Sequence, residues 1–129
     1  LLYLYLITSE HSNASGLFRL PVAYAAADTG MIADEIEQAH HDLEQAGMAT
    51  RRDDWVMVHG RLEDDPPPNP KTFSAVCSQF NEALNEAPEG LPLNDVMDSL
   101  IRLSTKFSGV LPEWLVEKLD RRTGGMGVE

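Results

Sequence analysis

At 129 residues, 43% hydrophobic and 24% charged, the chain has room for one domain, or a small domain with an appendage, and belongs to the soluble globular class. Its formal net charge of −11 repels polyanions over most of the surface, which argues against a DNA-coating protein and demands a local basic patch of any nucleic-acid binder. The single cysteine, Cys77, excludes a disulfide framework and a cysteine metal cluster within the chain, so a reducing cytoplasm is the simplest compartment.

The opening run, residues 1–7, is nearly all apolar or aromatic. It lacks the basic flank and length of a signal peptide and is far too short to span a membrane, so it is expected to be a core helix buried on most sides. Because the chain opens on Leu inside this run, further residues upstream are expected. Residues 9–16, SEHSNASG, collect turn formers and predict a surface loop. Within them Asn13-Ala14-Ser15 spells a glycosylation acceptor, which without a secretory segment is read as chance. Residues 17–20 are a short strand candidate. Pro21 then opens a helix over 22–29 in the N-terminal position proline tolerates, and Gly30 closes it.

The chain is organised around residues 31–59. Ile36, Ala39, His40, Leu43 and Ala46 recur at three- and four-residue steps and share one helix face, while Asp34, Glu35, Glu37, Gln38, Asp42 and Glu44 fall mostly on the other. Gly47 sits where the period stops, as a left-handed C-terminal position requires. Residues 48–52 and 55–59 favour strand, with Asp53-Asp54 as a tight turn between them. The predicted order is helix, short strand, helix, turn, helix, strand, strand.

Beyond the hairpin, EDDPPPNP at 63–70 is acidic and then proline-rich, which predicts a stiff spacer. Residues 71–87 place Phe73, Val76, Cys77, Phe80 and Leu84 on one side of an amphipathic helix, stopped by Pro88-Glu89-Gly90. Asn94 caps a further helix over 95–107 with a Val96, Leu100, Ile101, Leu103 stripe. Pro112 begins a last short one carrying Trp114, Leu115 and Leu119, with Arg121-Arg122 at its C-terminal end. So much apolar surface must fold back on the first half or pair with another copy.

The aromatic-rich first helix, the loop into Gly16-Leu17-Phe18, the Ala-rich helix ending Thr29-Gly30, the Leu43-Glu44-Gln45-Ala46-Gly47 helix end, the tryptophan of the hairpin at Trp55 and Asn69-Pro70-Lys71 after a short linker together resemble the N-terminal winged-helix domain of phage replisome-organiser and replication-initiation proteins, including the DnaD-like group. The resemblance covers about the first half of the chain. It implies a mainly α fold with a small β-hairpin, a winged helix-turn-helix followed by C-terminal helices. The corresponding units are a winged-helix domain over 1–62, a linker over 63–70, a helical extension over 71–122 and a tail over 123–129. It also implies weak contact with double-stranded DNA and recruitment of replication proteins such as a helicase or helicase loader.

Charge placement tests the DNA reading. The helix over 32–46, which would enter the major groove, carries Asp34, Glu35, Glu37, Asp42 and Glu44 and no Lys or Arg. His40 and His41 would offset this only when protonated. Positive charge gathers instead at Arg51 and Arg52 of the wing, with Arg19 and Arg61 as flanking candidates. Four such phosphate contacts give a salt slope of only about −3.6, the weak end for duplex binding. The wing, not the helix, is therefore expected to carry any binding, and that binding to be sequence-tolerant.

Other constellations carry less. His40-His41 with Asp42 and Glu44 is not read as a metal site, because adjacent histidines point to different sides of a helix. Cys77 lies at core spacing and is read as a buried thiol rather than a nucleophile. Gly124-Gly125-Met126-Gly127 lacks the strand and helix a phosphate loop requires. No enzyme signature, cofactor motif or membrane segment is evident. The alternative to the replication reading is an acidic winged helix acting as a protein-interaction or dimerisation scaffold without DNA, with a homo-oligomer expected; a transcriptional regulator is a third.

Overall fold

The computed structural model describes residues 1–107, together with Glu113 and Glu117. The helix predicted from Pro112, the Arg121-Arg122 pair and the glycine-rich tail lie outside the described residues. In chain order the elements are α1 (Leu2–Thr8), β1 (Leu17–Arg19), α2 (Val22–Thr29), α3 (Ala33–Gln45), β2 (Ala49–Arg52), β3 (Trp55–Val58), α4 (Arg61–Asp64), α5 (Pro70–Glu86) and α6 (Asn94–Lys106). The fold is mainly helical with one small antiparallel sheet of order β1-β3-β2.

The sheet forms because two short strand-favouring segments are joined by a two-residue turn. Asp53 takes the left-handed conformation (φ 55°) that Asp tolerates and that tight hairpin turns need. Arg52 then pairs with Trp55, Arg51 with Val56, Thr50 with Met57 and Ala49 with Val58. β1 adds on the other side of β3, matching Leu17 to Met57, Phe18 to Val56 and Arg19 to Trp55.

Alternation along these strands sends side chains to two cores. Leu17 and Met57 join Leu62, Phe73, Val76, Cys77, Phe80, Leu84, Val96 and Leu100 on one face. Phe18, Val56 and Val58 join Leu2, Leu6, Ala25 and Ile36 on the other. The sheet is thus a middle layer, with α1–α3 on one side and α5 and α6 on the other. α5 and α6 fold back on the sheet, and most of their apolar stripes are buried there. Each fully buried Leu, Ile or Phe in such a layer contributes about 1.5–3 kcal/mol.

Helix ends follow local chemistry. The end of α3 is a Schellman motif: the Gly47 N–H (φ +73°) donates to the Glu44 carbonyl at 3.1 Å and the Met48 N–H to Leu43 at 2.9 Å. At its start the Glu35 carboxylate accepts from the Ile32 N–H at 3.0 Å, half of a capping box, since Ile32 has no side-chain acceptor. Asn69 caps α5 by accepting from the Thr72 N–H at 2.8 Å, with Pro70 in the first turn.

Several sequence expectations need correction. α1 is not buried on most sides: Leu2 and Leu6 are buried, but Leu1 and Leu4 stay 78% and 59% exposed, because a seven-residue helix against one layer buries one stripe. The loop over 9–16 is not all surface. Ser15 is buried, and Asn13 Oδ1 accepts from the Ser15 N–H, the Ser15 hydroxyl and the Gly16 N–H, which is the work that residue does. Asn94 is the first residue of α6, and Leu93 holds the cap position without a side-chain bond. Ile101 is exposed and Met97 is buried in its stead, since Ile101 stands about 100° round the helix from Leu100. The stretch over 63–70 contains the end of α4 and a buried Pro67. Among the described residues no helix is long and apolar enough to cross a membrane.

Candidate functional site

The four arginines singled out from sequence do not form one basic strip. Arg19 and Arg52 both pair with Trp55 across the sheet, at the turn end of the hairpin, and Arg51 is next to them. Arg61 opens α4, past the opposite end of β3.

At the turn end every guanidinium meets a carboxylate. Arg52 grips Glu44 of α3 with both terminal nitrogens, Nη1 to Oε1 at 3.0 Å and Nη2 to Oε2 at 3.2 Å. The bond to Arg52 holds the Glu44 carboxyl below its usual range, and the same contact raises the guanidinium. Arg51 Nη2 donates to Glu37 of α3, and Arg19 Nη2 lies 3.4 Å from Asp54. The acidic helix and the basic hairpin neutralise each other, a pairing that follows from α3 packing directly on β2.

Arg61 differs. Its aliphatic stem runs beside Gly16, where an added Cβ would come within 3.3 Å of the Arg61 Cβ and Cγ. Its Nε is buried without a hydrogen-bond partner. It lines a cleft of about 250 Å³ shared with Ser15, His59, Glu63, Asp95 and Ser99. There His59 Nε2 meets the Thr50 hydroxyl at 3.0 Å, while its Nδ1 is buried and unpartnered. Glu63 is held by Arg102, which also donates to the Ser99 hydroxyl at 3.2 Å. Sequence reasoning singles out only Arg61 among these residues. His59 and Glu63 lie within two residues of it, but Ser15 comes from the first loop and Asp95 and Ser99 from α6, too far along the chain for periodicity or spacing to associate them.

The remaining candidates resolve individually. His40 is buried and His41 exposed, so the two face different surroundings, and burial pushes the His40 imidazole below its usual value. Cys77 is fully buried, and burial raises its thiol to about 11, leaving it protonated and a poor nucleophile near neutrality. Among the described residues no group of three or more His, Cys, Asp and Glu gathers as a metal site. No protein-family model, curated protein or solved structure matches the chain.

Proposed function

We propose that the chain is an acidic protein-interaction module on a winged-helix plan, not a reader of DNA. The observation that carries this reading is the internal pairing of Arg51 with Glu37, Arg52 with Glu44 and Arg19 with Asp54. Surface pairs of this kind are weak, about 0.2–1 kcal/mol each, so phosphates could pull the arginines away. The carboxylates, however, would stay beside the phosphates and cancel the gain. With three of the four expected contacts neutralised, Arg61 alone remains, and the salt slope falls from about −3.6 to about −0.9. The exposed apolar side chains of Leu1, Leu4, Tyr24 and Ile32 supply surface for a protein partner or a second copy, a homo-oligomer included.

The element order, with β1 added to a hairpin that follows a helix pair, supports the winged-helix plan. It also favours the second reading, a replication-initiation role of the resembled kind, in which the module would recruit a helicase or helicase loader by protein contact. Fluorescence anisotropy with a labelled duplex tests the choice. The wild type is expected to leave the duplex free at about 50 mM salt, while Glu37→Gln/Glu44→Gln, which unmasks two arginines beside Arg61, should bind with a slope near −2.7. Wild-type binding in physiological salt that Arg51→Ala/Arg52→Ala abolishes would overturn the proposal.

A further inference from the structure

We propose that the groove between the edge of β1 and α5 receives an extended basic segment of a partner protein, its backbone bridged to Arg19 and a lysine or arginine side chain laid against Glu82 and Glu86. The inference rests on the interaction reading above and names the partner's chemistry.

Register and helical period bring the groove's residues together. Arg19 and Trp55 are direct partners across β1 and β3, and alternation puts them on the same face of the sheet as Leu17 and Met57, the face covered by α5. On α5, Gln79, Glu82 and Glu86 fall at steps of three and four residues beside buried Ala83, so they share one side of the helix. α5 packs on β1, and all of these residues except Met57 border one open groove of about 290 Å³. The Arg19, Glu82 and Glu86 side chains are exposed and Trp55 is half-buried.

The strand edge supplies a backbone site. β1 is an outer strand of the sheet. The bonds from the Val58 N–H to the Gly16 carbonyl and from the Leu20 N–H to the Asp54 carbonyl fix the alternation, so Phe18 turns its backbone groups to β3 while Leu17 and Arg19 turn theirs outward. Those of Leu17 are closed from within the chain: its carbonyl accepts from the Asn13 amide at 2.6 Å, and its N–H donates to the Ser15 hydroxyl at 3.3 Å. On the other outer strand, β2, the outward Arg51 carbonyl accepts from the Arg52 guanidinium at 2.7 Å. The N–H and C=O of Arg19 have no partner among the described residues. An open donor and acceptor on an edge strand are the groups an added strand uses.

Charge decides the occupant. Glu82 and Glu86 are like charges one helical turn apart, which destabilises a helix, and neither is ion-paired among the described residues. Arg19, the guanidinium bordering the groove, is turned to Asp54, so its charge is already neutralised. A residue added opposite Arg19 has its side chain on the α5 face. There a lysine or arginine relieves the two carboxylates while its aliphatic stem covers the apolar floor of Leu17, Trp55 and Ala83. An acidic segment meets repulsion instead, and the net charge of −11 steers basic partners inward from a distance.

Two-dimensional ¹⁵N NMR of the full chain at low salt tests the groove with an acetylated and amidated peptide, Val-Lys-Val-Lys-Val, with its counterpart carrying Glu for Lys, and with the lysine peptide N-methylated at both lysines. Saturable shifts are expected at the Arg19 amide, the Trp55 indole and the Glu82 and Glu86 amides with the lysine peptide, and not with the other two. Glu82→Gln/Glu86→Gln should weaken the lysine peptide about fivefold or more, as loss of two partly exposed ion pairs does. Asp34→Asn/Asp42→Asn removes the same charge on the far side of the sheet and should change it less than about twofold, since screening confines exposed charges to short range. Shifts that stay linear in the lysine peptide, equal binding of the N-methylated peptide, or equal weakening by the two double variants would each overturn the proposal. The duplex titration decides the interaction reading by itself, so these outcomes remove the groove without touching that reading.

Discussion

Replacing Gly16 by alanine should cost far more than the same change at Gly47, although both glycines have positive φ. Gly47 (φ +73°) has nothing within 4 Å of an added Cβ, so its change carries only the left-handed penalty of about 1–2 kcal/mol, partly offset by a stiffer unfolded chain. At Gly16 (φ +90°) the Cβ would stand 2.5 Å from the Val58 carbonyl oxygen and 3.3 Å from the Arg61 stem. Because the obstacle is backbone, β3 or the loop must move. That movement adds about 1–3 kcal/mol of overpacking strain. It also weakens the 2.8 Å bond from the Val58 N–H to the Gly16 carbonyl, worth about 0.5–1.5 kcal/mol. Gly16→Ala should therefore cost about 3–5 kcal/mol. In urea unfolding followed by tryptophan fluorescence, with an m-value of about 2 kcal/mol/M, its midpoint should fall about 1 M or more below that of Gly47→Ala. Midpoints that coincide would show that the close approach at Gly16 is relieved at no cost, and the packing argument would fail.

Two further outcomes follow from titrating groups. Cys77, fully buried with its thiol raised to about 11, should resist alkylation at pH 8 in the native protein and react at once in urea; labelling at the rate of a free thiol would contradict its burial. His40, whose imidazole burial pushes below its usual value, is neutral in the fold at a pH where the unfolded chain already takes up a proton. Its share of stability is thus whole above about pH 6.5 and lost as pH falls from there toward the folded value. The stability of the wild type relative to His40→Leu should decline between pH 7.5 and 5.5, and a difference independent of pH would refute the assignment.

The α3, Gly47 and hairpin succession is legible in the sequence because each signal is local: a 3.6-residue period, a residue free of Cβ at its end, and two strand-favouring runs around an Asp pair. The stripe of Phe73, Val76, Cys77, Phe80 and Leu84 is legible for the same reason. α4 is not, since four residues, RLED, hold no period and run into an acidic proline-rich stretch. The arginines are visible as charges, but whether a charge is free depends on what tertiary packing sets against it. Glu37 and Glu44 reach Arg51 and Arg52 only because α3 returns onto β2. The cleft is least legible of all, because Ser15 and Asp95 reach the run from His59 to Glu63 through the sheet and α6 rather than through any spacing along the chain.

The register of β3 has a consequence for mutational tolerance. Val56 and Val58 project into the core beneath α1–α3, and Met57 into the core beneath α5 and α6. In a sheet wet on one face, a one-residue slip exchanges core for solvent on a single side. Here the same slip would drive a methionine into the space of a valine on one face and valines into the space of a methionine on the other, overfilling one interior and leaving voids in the other. The central strand consequently has no near-degenerate alternative alignment to visit. Its three interior side chains act as a key cut on both edges, so a size change at one of them can be compensated only by a matching change in the helical layer it faces.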